Sequence, residues 1–176
     1  GPGEPSIVEN IVSGCFNGIA LKDGTAATGH HNTVTGSRIG FNVFVKNAGS
    51  APPRGDFHSS IVWGNDRDIA VGPGSTLALD HSDVGSEPGE WGAANFSGDP
   101  LFLGPDDWRL RATSPCVGAG RDGSVAGARG IAGGGPPAIE SVEPPVGAVE
   151  GGSRVTLRGQ GLEGFIRASI AGRDIE

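Results

Sequence analysis

The chain has 176 residues, with 33 glycines, 13 prolines, two cysteines and a formal net charge of −7. That length suits one domain plus part of another. The acidic balance argues against a nucleic-acid partner, which needs a basic surface, and no apolar run is long enough to span a membrane. Glycine and proline together make up about a quarter of the chain, a level at which disorder is a live reading. The ordered reading prevails because the glycines recur at fixed places. The chain starts at Gly1, contains no methionine and shows no secretory signal, so it reads as a mature or excised piece.

In chain order, the first half repeats itself. Asn10 to Gly14 (NIVSG) matches Asn32 to Gly36 (NTVTG), so that Val12 recurs as Val34, 22 positions on. Gly18 to Leu21 lines up in the same way with Gly40 to Val43. The third unit, Ser60 to Gly64 and then Asp68 to Val71, comes 28 positions later. The extra residues fall in the Pro-rich stretch Asn47 to Arg54, which reads as a loop bulging from one turn. Ser82 to Gly85 restores the spacing of 22. A short fixed period marks a solenoid.

Within each unit, short runs of Val, Ile, Thr and Phe alternate in and out, as in Ile19 and Leu21, or Phe41 and Val43. Helical apolar spacing is absent, and so is the core pattern of a leucine-rich repeat. The expected fold is all-β, a parallel β-helix whose equivalent residues stack about 4.8 Å apart. Val12, Val34, Val62 and Val84 should form one inward column, and Ile19, Phe41 and Ile69 a second. Asn10, Asn32, Ser60 and Ser82 should form a polar ladder at a turn.

After the repeats come Leu79 to Gly85, Asn95 to Phe102 (NFSGDPLF), Asp107 to Leu110 (DWRL) and Ser114 to Gly120 (SPCVGAG), preceded by Ser60 to Asn65 (SIVWGN). This order resembles the C-terminal end of secreted right-handed parallel β-helix proteins of the pectin-lyase-like class, over roughly residues 6–132. Val117 and Gly118 depart from the usual Ile-Asp of that tail. The resemblance implies the last four coils of a β-helix followed by a closing segment. A solenoid end exposes strand edges and an open core, so Leu101, Phe102, Trp108 and Leu110 are expected to plug the cross-section.

Residues 133–137 (GGGPP) read as a hinge between two domains, residues 1–132 and 138–176. The second begins with Ala138 to Pro144 and Gly151 to Leu162 (GGSRVTLRGQGL), which resemble the start of an IPT/TIG domain, an immunoglobulin-like sandwich of extracellular and cell-surface proteins. Val155 and Leu157 should face its core, and Thr156 and Arg158 water. A sandwich of this type wants about 100 residues, so 138–176 covers its N-terminal half and the protein is expected to continue.

Chemistry is fainter. Cys15 and Cys116 are too few for a disulfide scaffold. A bridge between them needs the tail to fold back along the coils; the commoner state is two small buried thiols. His30, His58 and Asp80 fall into one register column, and His31, Ser59 and His81 into its neighbour. Stacked imidazoles can bind a metal or shuttle protons, but a solvated polar column is the plainer reading. In a strand, His30 and His31 point to opposite faces and cannot chelate a metal together. Asp66 with Asp68, and Asp106 with Asp107, lack the ligand count of a Ca²⁺ site, so no cofactor or metal is expected. Asp83 belongs to the closing motif and is assigned a turn. Trp63 should alternate outward from Val62 and could stack on a sugar ring, whereas Trp91 closes the fourth coil at the Ile19 column.

No catalytic residue is assigned; His31, Trp63 and His81 are the surface candidates. The expected function is that of a non-enzymatic, bacterial, extracellular or cell-surface scaffold or adhesion protein contacting a polysaccharide or cell-surface glycan, linked to further domains of the same chain. The alternative is the C-terminal fragment of a polysaccharide lyase or glycoside hydrolase whose catalytic coils lie upstream.

Overall fold

The structure, a computed structural model, describes residues 4–132, 138–143, 156–160, 168–170 and 173–175. The repeat folds as expected into stacked coils. The first holds β1 (Ser6–Val8), β2 (Ile11–Ser13) and β3 (Asn17–Lys22), and the second β4 (Ala26–His30), β5 (Thr33–Thr35) and β6 (Ile39–Phe44). The third holds β7 (Arg54–His58), β8 (Ile61–Trp63) and β9 (Arg67–Val71), and the fourth β10 (Thr76–Asp80) and β11 (Asp83–Val84). Equivalent strands pair in parallel to give three sheets, β1-β4-β7-β10, β2-β5-β8-β11 and β3-β6-β9. This winding is consistent with a parallel β-helix.

The register follows the sequence repeat. Val12 pairs with Val34, Val34 with Val62 and Val62 with Val84, while Ile19 pairs with Phe41 and Phe41 with Ile69. Both columns face inward and, with Leu21, Val43, Phe57 and Leu79, build one apolar core. Room is shared between coils. The inward row Gly29, Phe57, Leu79 has a glycine below its largest ring, and a Cβ on Gly29 would lie 2.5 Å from Phe57 Cε1. The 28-residue interval is absorbed between β6 and β7, where the Asp23 carboxylate accepts hydrogen bonds from the backbone N–H of Lys46 and Asn47.

The polar ladder is internal. Asn32 Oδ1 accepts from Asn10 N–H (3.1 Å), Ser60 Oγ from Asn32 N–H (3.2 Å) and Ser82 Oγ from Ser60 N–H (3.0 Å). Asn95 Oδ1 adds a fifth rung by accepting from Ser82 N–H (3.0 Å). Asn32, Ser60 and Ser82 have no exposed surface, so Ser60 and Ser82 each satisfy a backbone donor that water cannot reach, while Asn32 caps the exposed Asn10.

The end of the solenoid closes differently from expectation. The fourth coil has no strand in the third sheet; the chain turns through a 3₁₀ turn at Pro88–Glu90. Trp91 O then accepts from Leu79 N–H (2.9 Å), which puts Trp91 on the first sheet's row rather than at the Ile19 column. Its ring packs on the main core. Leu101, Phe102, Trp108 and Leu110 do not plug the cross-section. β12 (Phe102–Gly104) and β13 (Asp107–Leu110) form an antiparallel hairpin, and the tail runs back along the outside of the second sheet. A second core forms there from Ile61, Leu110, Cys116 and Ala126, flanked by Trp63, Phe96, Phe102 and Val125. The reason is that Ile61 and Trp63 point outward from the third coil and would otherwise lie bare. Hydrogen bonds from Gly127 N–H to Ser59 O and from Ala128 N–H to Thr33 Oγ1, both 2.9 Å, pin the returning chain.

Both thiols are free. Cys116 is buried as expected, but Cys15 is exposed, because the returning tail brings Cys116 to Asp83 and not to Cys15. Farther along, β14 (Ala138–Glu143) pairs antiparallel with β15 (Thr156–Gln160), and β16 (Ala168–Ile170) with β17 (Arg173–Ile175). Thr156 and Arg158 are exposed, as their alternation predicts. The expected hinge at 133–137 and the inward placement of Val155 and Leu157 lie outside what is described.

The ladder makes a stability prediction. Asn32 also donates to Ile7 O (2.9 Å) and His30 O (3.2 Å), so Asn32→Ala leaves several half-buried groups without their partner and should cost about 1–3 kcal/mol in urea unfolding. Asn32→Ser, which copies the third coil, should cost less. Equal losses for the two variants would contradict a hydrogen-bonding ladder.

Candidate functional site

The side chains with chemistry converge where the first sheet hands over to the second. Each first-sheet strand ends in the register row Val8, His30, His58, Asp80. The following residues, Glu9, His31, Ser59 and His81, have φ of 56°, 51°, 51° and 47°. This is the left-handed region, which polar residues such as His and Asn enter more readily than β-branched ones. One such residue turns the chain by itself, and the ladder residue after it starts the next strand.

That corner corrects the opposite-face placement expected of His30 and His31. His31 is not in a strand, so the alternation rule does not apply to it. The left-handed step swings its ring beside its neighbour's, and the two Nδ1 atoms lie 2.8 Å apart with the rings at 88°. His58 stacks on His30 with centroids 5.2 Å apart and rings 16° from parallel, and its centroid lies 6.3 Å from that of His31. His81 is turned to a different partner: its Nδ1 lies 3.0 Å from Asp80 Oδ1. Arg121, from the returning tail, takes the other Asp80 oxygen.

The tail meets this corner at several atoms. His31 Nε2 lies 3.2 Å from Ser124 Oγ, and Arg121 N–H donates to Ser59 Oγ (2.8 Å), which is itself 3.0 Å from His58 Nδ1. Arg121 and Ser124 had no signal in the sequence, since their part depends on a chain reversal that no local pattern marks. Burial, followed by the neighbouring His30, holds His31 below the ordinary histidine range against the pull of Glu9. His58 is held down by burial, Arg121 and the other two rings, against Asp80. Burial works to raise the Asp80 carboxyl, but hydrogen bonds from Arg121 and His81 prevail and keep it low. Among the described residues, no group of three or more His, Cys, Asp or Glu side chains is arranged to hold a metal ion.

Trp63 does point away from Val62, but it is half-buried against the second core, so the tail covers much of the face a sugar would stack on. Among the described residues the large apolar side chain that stands free is Phe16, 63% exposed, with the Arg38 guanidinium 4.9 Å from its ring centroid. A shallow groove on the outside of the first sheet is lined by Glu4, Thr28, Arg54, Asp56, Thr76 and Ala78. No helix among the described residues is long and apolar enough to cross a membrane.

Asp83 is not a turn residue. It sits in β11 with no exposed surface, accepting Gly98 N–H at Oδ1 (3.1 Å) and the Cys116 thiol at Oδ2 (3.3 Å). Burial pushes its carboxyl up to about 6, and burial together with this carboxylate pushes the Cys116 thiol up as well. The seam between coils and tail therefore holds a carboxyl that is neutral well above the ordinary 3.8. Between those two values the folded chain binds the extra proton, so stability falls as pH rises through the window. Asp83→Asn should remove that slope: relative to wild type, the variant should gain about 2 kcal/mol between about pH 4 and pH 7. A wild-type disadvantage that shrinks with rising pH would refute this.

No protein-family model matches the chain, and neither a curated protein nor a solved structure matches it.

Proposed function

We propose that the chain is a scaffold segment of an extracellular or cell-surface bacterial protein, in which the stacked coils form a rigid stalk and their outer faces contact glycan. The finer form of this reading is a right-handed, pectin-lyase-like β-helix joined to the N-terminal half of an IPT/TIG domain. The parallel three-sheet stacking and the antiparallel β14–β15 pair support it.

One observation carries the non-enzymatic reading. The titratable groups that converge are tied to one another and to the tail: His31 to Ser124, Asp80 to Arg121 and His81, Asp83 to Gly98 and Cys116. A catalytic acid or base must reach its substrate's proton, and His31, Asp80 and Asp83 face the seam between two layers of the same chain, with His81 held on Asp80. The groove on the first sheet offers instead two carboxylates, a guanidinium and hydroxyls along one open face, from Glu4, Asp56, Arg54, Thr28 and Thr76, with Arg54 and Glu4 joined in an exposed ion pair. Such groups suit hydrogen bonding to a polyhydroxylated chain without chemistry on it.

The test is to incubate the protein with acidic and neutral polysaccharides, following both retention and product release. Binding without cleavage is expected, weakened at least several-fold by Arg54→Ala. Release of unsaturated uronides or reducing ends would favour the lyase or hydrolase alternative. Failure to bind any glycan would remove the ligand and leave the scaffold.

A further inference from the structure

We propose that His30, His31 and His58 form an acid-sensitive clasp, which holds the tail segment 121–128 against the coils at neutral pH and releases it when the rings take up protons. The inference does not depend on what the outer faces bind.

The direction of the hydrogen bonds carries the argument. Ser124 Oγ lies 2.8 Å from the Arg121 carbonyl oxygen, which can only accept, so the hydroxyl donates there. Ser124 Oγ must then accept from His31 Nε2–H at 3.2 Å. A neutral His31 protonated on Nε2 has a lone pair on Nδ1, and that lone pair accepts from His30 Nδ1–H at 2.8 Å. The chain of donors thus runs from His30 through His31 and Ser124 to the Arg121 carbonyl, from the second coil into the tail. A first proton arriving at His31 takes Nδ1, and the bond survives by reversing, with His30 carrying its own proton on Nε2 instead. Once His30 is protonated as well, both Nδ1 atoms carry hydrogens, the His30–His31 bond breaks and the rings must part. His58 is more tolerant, because the Ser59 hydroxyl beside its Nδ1 can rotate from donor to acceptor.

The surrounding charges do not neutralise the protonated cluster. Glu9 faces His31 from the preceding corner, and Asp80 faces His58 from β10. Against them, the tail brings the Arg121 guanidinium to the same corner, where Asp80 is already engaged by both Arg121 and His81. Asp56 and Asp122 lie nearer Arg121. Three imidazoliums with centroids 5.1–6.3 Å apart would repel one another. His31 and His58 both lie below the ordinary 6.5 when folded, and the share that the tail supplies, its cover over His31 and the Arg121 charge beside His58, is lost on release, so the docked form binds fewer protons than the released one. Docking is therefore full above about pH 6.5 and lost as pH falls below it. The held segment is attached by few bonds: the Arg121 guanidinium to the Asp80 carboxylate, Arg121 N–H to Ser59 Oγ, Gly127 N–H to Ser59 O and Ala128 N–H to Thr33 Oγ1, besides the ring contacts.

Hydrogen exchange of the whole chain, corrected for the intrinsic effect of pH, reads the clasp directly. From about pH 7 to pH 5 the amides of Arg121, Gly127 and Ala128 should lose about tenfold in protection, while those of Thr33 and Ile61, bonded between coils, keep theirs and report that the solenoid stays folded. His31→Asn, which suits the left-handed corner, should leave these tail amides less protected at pH 7 and with most of the acid step gone. Asp83→Asn should retain the step, which separates the histidines from the carboxyl that titrates in the same range. No step in the wild type, or a step of undiminished size in His31→Asn, would overturn the proposal, as would loss of the coil amides together with the tail.

Discussion

Everything in the solenoid hangs on one constraint, the left-handed residue at the corner and the buried polar side chain that follows it. A strand of two to six residues has little to fix its pairing except its two faces, and a slip of one residue exchanges those faces. The ladder removes that freedom. Asn32, Ser60, Ser82 and Asn95 each accept the backbone N–H of the equivalent residue one coil earlier, so a slip would leave the whole row of donors unpaired. Six residues can be inserted between β6 and β7 because that loop lies away from the ladder. None could be inserted between a corner residue and its rung.

Once the rungs are fixed, the outward side chains line up whether or not alignment benefits them. Ile61 and Trp63 present an apolar patch outside the second sheet, and the tail exists in its observed path because that patch must be covered. His30 and His58 are brought face to face by the same register. The second layer is thus a consequence of the first, but it is held by different forces. The main core is made of Val, Ile, Leu and Phe, whereas the seam contains Asp83, Cys116 and the histidine corner along with its apolar contacts.

What was legible in the sequence is what repeats. Val12 to Val84, Ile19 to Ile69 and the ladder could be placed by counting, because a parallel stack turns sequence spacing into spatial register. The path of residues 97–132 could not. Leu101, Phe102, Trp108 and Leu110 read as an apolar cluster in need of cover, and the open end of the solenoid was one place that offered it. Trp91 already fills that place, and the outward Ile61 supplied the competing surface. The alternation rule failed at His31 for a local reason: a single left-handed residue leaves no trace in composition when the position holds Glu, His, Ser and His in turn. Asp83 was hidden more deeply, since its partner Cys116 lies 33 residues away across that same reversal.

The two titratable parts of the seam respond to pH with opposite sign. Asp83 is least costly when protonated, so acid favours its burial; His31 is docked when neutral, so acid opposes it. The two partly offset each other as acid is added: Asp83 settles into its part of the seam as it takes up a proton, while the histidine corner loosens its hold on residues 121–128. The coil interior, built from residues that do not titrate, has no such response. Acid can therefore act on the tail while leaving the stacked sheets intact, and the part of the molecule that carries the repeat is insulated from the part that carries the chemistry.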